Sequence, residues 1–273
     1  MKTTISNDVL SAAVAAVRSQ RPLVHNITNY VVMNNSANAL LAIGASPVMA
    51  HWPREVEEMV SIAGALVLNI GTLDDGWLEG MKAAGAAASR RGIPIVLDPV
   101  GAGATKARTD ACLELIRICS PTIIRGNASE IMAVAEALCS HNTSGVKPVK
   151  SKGVDSSAES TDAVESAKRL AIKCGAVVVI SGETDYITDG SVVHTVEGGD
   201  PIMTAVTGMG CTATALTGAF AAVCKDPLTA ATATMAVMSL AGERAAAHSR
   251  GNGSMQINFL DELYNLSETK GLR

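Results

Sequence analysis

Hydrophobic and polar positions along this chain are grouped in blocks rather than alternating residue by residue. Short, nearly continuous apolar runs at 22–27, 65–70, 95–98, 122–125 and 176–181 are separated by longer stretches of helical periodicity. Unbroken apolar runs of this length predict strands buried on both faces, as in a parallel sheet. The longer stretches predict helices over 31–43, 55–63, 75–91, 109–118, 128–137 and 161–174. Such alternation implies right-handed crossovers and an α/β fold, with a mostly parallel central sheet and helices on both faces. After Ser181 the pattern changes. Segments 186–188 and 192–195 read as a hairpin, because Asp189-Gly190 between them supplies the positive φ angles of a tight turn. From Cys211 to about Ser249 the chain reads as helix, broken near Asp226-Pro227. Only 143–160, rich in Ser, Lys and Gly, is weakly patterned, and it reads as an exposed loop.

Composition narrows the function classes. A chain of 273 residues, 48% of them hydrophobic, can bury one large core, and no linker divides it. A single domain over 1–273 is therefore expected. The formal net charge of −4 gives no reason to expect nucleic acid or an anionic membrane as partner, and aromatics at 3% leave few platforms for stacking bases. One uncharged stretch, 202–224, is long enough to span a bilayer, but its five Thr and three Gly suit a buried helix with a glycine-rich entry. With no apolar leader at the N-terminus, a soluble, cytoplasmic protein is expected. The six cysteines form no CxxC and stand at no metal-ligand spacing. Five of them read as small buried hydrophobes in a reducing compartment.

The sixth, Cys211, belongs with the chemistry. In open α/β sheets ligands sit beyond the carboxyl ends of the strands. Here those ends carry polar or glycine-rich residues repeatedly: His25 to Asn29, Pro47 to Met49, Asn69 to Thr72, Asp98 to Gly103, Arg125 to Glu130 and Ser181 to Glu183. A lined cleft is expected there. Thr207-Gly208-Met209-Gly210-Cys211-Thr212 runs straight into a helix, so its backbone N–H groups can form an anion hole reinforced by the helix dipole. The same glycines also suit an ordinary tight turn. Cys211 sits in the first helical turn, where a thiol pKa tends to fall. It is open to three readings: a packing residue, a base or acceptor beside a reacting hydroxyl, or a nucleophile. Asp98 and Glu130 are candidates for organising magnesium, or a turn starter and a first-turn charge respectively. Arg125 ends an apolar strand and needs an anion, either a carboxylate or a phosphate. No GxxxxGK[ST] loop and no GxGxxG after the first strand are present, which excludes P-loop and dinucleotide-binding chemistry of those kinds.

Several segments together resemble one family. They are HNITNYVVMNNSANALLAIGASPVM from His25, LNIGTL from Leu68, LDPVGAGATKAR from Leu97, IRGNASEI from Ile124 and SGETDYITDG from Ser181. GGDPIMTAVTGMGCTATA from Gly198 and AGERA from Ala241 complete the set. The chain resembles hydroxyethylthiazole kinases of the ribokinase-like superfamily, which implies a three-layer sandwich. It further implies phosphorylation of 4-methyl-5-(2-hydroxyethyl)thiazole by ATP with Mg2+, in thiazole salvage for thiamine biosynthesis. On that resemblance Met49 and Gly208 contact the thiazole with Asn26 nearby, Arg125 and Ser181 contact ATP, and Asp98 and Glu130 serve magnesium. Cys211, Gly208 and Gly210 form the catalytic turn, Cys211 standing where the wider superfamily usually has Asp. A homotrimer with active sites between subunits is also implied. Two departures stand out: Ser181 replaces a common Thr and keeps the hydroxyl, while Met209 replaces the usual Thr and is expected to add bulk beside the anion hole. A ribokinase-like kinase for another alcohol, an ADP-dependent dehydratase of the same fold and a non-catalytic binding protein remain as alternatives. The first two usually carry Asp at the position of Cys211.

Overall fold

The structure, a computed structural model, describes residues 1–140 and 156–266. The parallel strands fall where unbroken apolar runs place them, except Ser46–Val48, which no such run marked. β1 (Lys2–Thr3) and α1 (Asn7–Gln20) lead into β2 (Leu23–Ile27), α2 (Met33–Ile43), β3 (Ser46–Val48) and α3 (Val56–Ile62). β4 (Ala65–Asn69), α4 (Asp75–Arg91), β5 (Ile95–Asp98), α5 (Lys106–Cys119), β6 (Ile123–Asn127) and α6 (Ala128–Ser140) follow. α7 (Ser156–Cys174) and β7 (Val177–Ser181) precede the hairpin of β8 (Thr184–Thr188) and β9 (Val193–Glu197). A 3-10 turn (Pro201–Ala205) leads to α8 (Met209–Val223), α9 (Pro227–Ala247) and α10 (Asn252–Asn265). The expected loop over 143–160 lies outside the described residues as far as 155, and from Ser156 the chain is already helical.

One nine-stranded sheet has the order β1-β9-β8-β7-β6-β5-β4-β2-β3. It is parallel from β3 to β7, and the hairpin and β1 extend it antiparallel. Alternating strand residues feed two apolar layers. Val24, Val67, Val96, Ile123 and Val179 face a layer built with α1, α2, α8, α9 and α10. Leu66, Leu68, Leu97, Ile124 and Val178 face the other, built with α3 to α7. This is the three-layer sandwich expected. The sequence pattern did not predict α1 or α10. α1 buries Leu10, Ala13, Val14 and Val17 at helical spacing behind a Ser6 cap, whereas α10 buries only Met255, Phe259 and Leu263 among polar neighbours.

Helix α8 is buried almost all round, which explains its Ala, Thr and Gly content. The uncharged stretch 202–224 is thus divided between a 3-10 turn and a core helix. Among the described residues no helix is long and apolar enough to cross a membrane. A Cβ at Gly218 would lie 2.6 Å from Val67 Cγ2 and 2.9 Å from Val24 Cγ1, so α8 packs on the sheet through bare backbone. Gly218→Ala is expected to destabilise the protein by about 1–3 kcal/mol through overpacking. Gly253→Ala, where a Cβ meets nothing within 4 Å, is expected to be neutral or stabilising. Denaturant unfolding of both variants checks this.

Candidate active site

The carboxyl ends of the parallel strands bring polar side chains to one edge. β4 ends in Asn69, β5 in Asp98 and β7 in Ser181, while Asn29 follows β2 and Arg125 lies near the end of β6. α8 begins over this edge. Its cap, Gly208, has φ +79, and a Cβ there would lie 2.4 Å from Val32 Cγ1, so glycine is required both for conformation and for space. The first bond of the helix runs from the Thr212 N–H to the Gly208 carbonyl at 2.8 Å. The N–H groups of Met209, Gly210 and Cys211 therefore have no acceptor within the helix. A Cβ at Gly210 would lie 3.2 Å from Arg125 Nη1, so this open turn and the guanidinium share one space.

Arg125 is buried, 7% exposed, yet its recorded hydrogen bonds go to neutral hydroxyls: Nη2 to Ser181 Oγ at 2.6 Å and Nη1 to Thr214 Oγ1 at 3.4 Å. Its Nε has no partner. Hydrogen-bonding capacity is thus left for an anion, with the Asp98 and Asp185 carboxyls within the field of the guanidinium. Asp98 is 2% exposed and accepts at Oδ2 from Asn69 Nδ2 at 2.8 Å and Thr214 Oγ1 at 2.7 Å. Asn29 Nδ2 donates to Asn69 Oδ1 at 2.8 Å and reaches Cys211 Sγ at 3.5 Å. One network thus joins Cys211, Asp98, Arg125 and Ser181. Glu130 stands beside it, its two oxygens accepting the Gly101 N–H at 2.8 Å and the Asn127 N–H at 2.9 Å.

Other expected residues lie apart from this network. Asn26 is fully buried and donates to the Val24 carbonyl at 2.9 Å, leaving its Oδ1 unpartnered. Met49 is half-buried just after β3. The neighbouring Ala50 carbonyl accepts from His25 Nε2–H at 2.7 Å, and burial lowers the His25 pKa, keeping that ring neutral. Met209 corrects the sequence expectation: it is 7% exposed and packs in the core, not beside the anion hole. Alternate residues of the first turn point opposite ways, and 209 takes the core side. The cysteines divide differently from expectation. All six are free, but only Cys112 and Cys119 are buried; Cys174 and Cys224 are half-buried and Cys139 is exposed.

The electrostatics also depart from the sequence reading at Cys211. Burial raises its pKa, and the Asp98 charge adds to that, against hydrogen bonds from Asn69 and Asn29 and the charge of Arg125. Burial likewise pushes the Asp98 carboxyl up to about 6, despite Arg125, Thr214 and Asn69. Asp185, on β8 and also within the field of Arg125, is raised by burial to about 6.

A carboxyl raised in the folded state holds its proton there at pH values where the unfolded chain has lost it. Ionised Asp98 therefore lowers stability as pH rises from about 4 to about 6. The stability of Asp98→Asn relative to wild type is expected to improve across that window and level off above it. Thermal unfolding of the ligand-free proteins at several pH values measures this. A flat difference would contradict the raised pKa.

Asn29, Asn69, Thr214 and Asp185 were not singled out from sequence as site residues. A signal existed for Thr214, which lies one helical turn beyond Cys211, and for Asn69, which closes an apolar strand.

A buried cation without an anionic hydrogen-bond partner, an open helix N-terminus and a buried carboxylate thus meet at the strand ends of this sheet. A family model described as the hydroxyethylthiazole kinase family matches residues 14–269. The chain is 56% identical over 257 residues to a hydroxyethylthiazole kinase of Syntrophus aciditrophicus, covering 94% of this chain and 92% of that one. Among solved structures, a hydroxyethylthiazole kinase from Pyrococcus horikoshii OT3 aligns with TM-score 0.85 and 41% identity, over 96% of this chain and 94% of that one. A ribokinase-like superfamily protein from Enterococcus faecalis V583 aligns with TM-score 0.66 at 14% identity, over 98% and 96%, and shares the fold. This chain belongs to the hydroxyethylthiazole kinase family.

Proposed function

We propose that the protein transfers the γ-phosphoryl group of ATP to the hydroxyl of 4-methyl-5-(2-hydroxyethyl)thiazole, with Mg2+, as a thiazole salvage step in thiamine biosynthesis. The observation that carries this reading is the meeting of Arg125 with the open first turn of α8, in a chain of this family. Phosphoryl transfer asks mainly for positioning and for charge stabilisation at the transferred group. The Met209, Gly210 and Cys211 N–H groups supply the second, and Arg125 with Ser181 holds the nucleotide phosphates. Cys211, with burial keeping it a thiol near neutrality, serves as a hydrogen-bonding partner for the substrate hydroxyl rather than a strong base. Met49 and Gly208, with Asn26 nearby, border the thiazole.

Magnesium fits the donor set. Among the described residues no group of three His, Cys, Asp or Glu could hold a metal alone, and Mg2+ on phosphate substrates characteristically uses one or two carboxylates plus water. Asp98 has both recorded bonds on Oδ2, leaving Oδ1 for the metal or its water. Glu130, fixed by two backbone N–H groups, would face the water shell. The ion would supply charge neutralisation at the phosphates.

Tyr30 and Val31, exposed at 62% and 61%, follow Asn29 directly, and Trp52, exposed at 54%, stands three residues after Met49; this apolar rim supports a homotrimer with sites between subunits. Light scattering in solution measures the assembly. A cytoplasmic location accords with the six free cysteines.

The test is ADP release over a panel of alcohols, thiazole, pyridoxal and hydroxymethylpyrimidine, with magnesium titrated in each. The thiazole alcohol is expected to give the highest kcat/KM. Asp98→Ala and Glu130→Ala are each expected to need more magnesium for half-maximal rate, Asp98→Ala by the larger factor. An unchanged magnesium titration would remove either residue from the site.

A further inference from the structure

Cys211 is held by a chain of hydrogen bonds whose direction is fixed at every step. Asn69 is 1% exposed, and its Nδ2 donates to the Asp98 carboxylate at 2.8 Å. A carboxylate can only accept, so the Asn69 amide cannot turn over without setting oxygen against oxygen. Its Oδ1 is thereby aimed at Asn29 Nδ2, 2.8 Å away, and at the Gly71 N–H, 3.0 Å away. Asn29 is 4% exposed, and its own Oδ1 accepts the Val31 N–H at 3.1 Å. Both ends of that amide are therefore assigned, and the second Nδ2 hydrogen is directed at Cys211 Sγ, 3.5 Å away. Sulfur is an acceptor on this side, which leaves its S–H for the cleft. Gly71 completes the arrangement: a Cβ there would sit 2.5 Å from Asn29 Nδ2.

We propose that Asn69 is a positioning residue for the phosphoryl-transfer step, orienting the sulfur of Cys211 both by its own hydrogen bond and through Asn29. This rests on the kinase reading above, and it goes beyond it by giving the fully buried amide a role in turnover. Asn69 touches no substrate in this account. Its effect reaches the reacting hydroxyl only through Cys211, so it should alter kcat and not substrate binding.

The experiment is a double-mutant cycle with Asn69→Ala, Cys211→Ala and the pair, measuring kcat and KM for the alcohol and the magnesium requirement. Asn69→Ala is expected to lower kcat by up to about 10²-fold, the scale for a reacting group misplaced by about an ångström, with KM for the alcohol little changed. In the Cys211→Ala background the same change should slow turnover scarcely further, because residues acting as a unit are not additive. Gly71→Ala, which displaces Asn29 while keeping Asn69, is expected to reproduce the kcat loss and the non-additivity. It also carries the cycle if Asn69→Ala does not fold. Independent, multiplicative losses would overturn the proposal, as would a rise in KM at constant kcat, or an effect confined to the magnesium requirement. Wild-type turnover is the reference arm. If wild type phosphorylates a different alcohol, the thiazole assignment fails, and the cycle is read on that alcohol instead. A wild-type protein phosphorylating none of them would overturn both.

Discussion

Cys211→Ala is expected to lower kcat by about 10²-fold, near the lower end of the range for loss of an acid–base group, with KM for the alcohol and for ATP largely retained. Two features of the site set that size. Burial raises the thiol pKa, so little thiolate is present near neutrality to act as a strong base. In addition, a loose phosphoryl-transfer transition state demands little proton removal before the bond to phosphorus breaks. What is lost is a partner for the hydroxyl in line with the open turn of α8. Steady-state kinetics with both substrates varied gives the answer. Wild-type kcat in the variant would reduce Cys211 to a packing residue, whereas a lost KM with kcat retained would make it a binding group.

Gly208→Ala is expected to have a still larger effect, about 10²–10³-fold on kcat, comparable with loss of an oxyanion-hole donor. The residue occupies the left-handed region at φ +79, where a Cβ costs about 1–2 kcal/mol. The added carbon would also meet Val32 Cγ1 at 2.4 Å. Relief of that contact requires the turn carrying the Met209, Gly210 and Cys211 N–H groups to move, and with it the donors aimed at the transferred phosphate. Kinetics with parallel thermal unfolding separates the two components. A lower Tm with unchanged kcat would show that Gly208 serves the turn alone.

Much of this architecture was legible in the sequence because buried parallel strands are written as unbroken apolar runs. Ile95–Asp98 and Asp75–Arg91 coincide with their expected bounds. α10 was less legible, because a helix that buries one residue in four leaves a faint period. At the site, Arg125 and Gly208 were readable individually: a cation ending an apolar strand needs an anion, and glycine before a helix needs a reason. Asn69, Asn29 and Thr214 left weaker signals, a strand end or a position one turn beyond Cys211, and their roles arise only when β2, β4, β5 and α8 converge on one edge. The direction of the Cys211 shift was misread for a related reason. A place in the first helical turn is local and visible in sequence, whereas the desolvation that raises the thiol is tertiary. Met209 shows the same limit, because which side of the first turn faces the core depends on the docking of α8.

The most direct measurement is incubation of the wild-type protein with MgATP and 4-methyl-5-(2-hydroxyethyl)thiazole, identifying the product by mass and counting ADP against it. A thiazole phosphate formed in equal amount to ADP, and no ADP release without the alcohol, is the predicted result. ADP release indifferent to the thiazole, or no phosphorylated thiazole from a folded protein, would contradict the account.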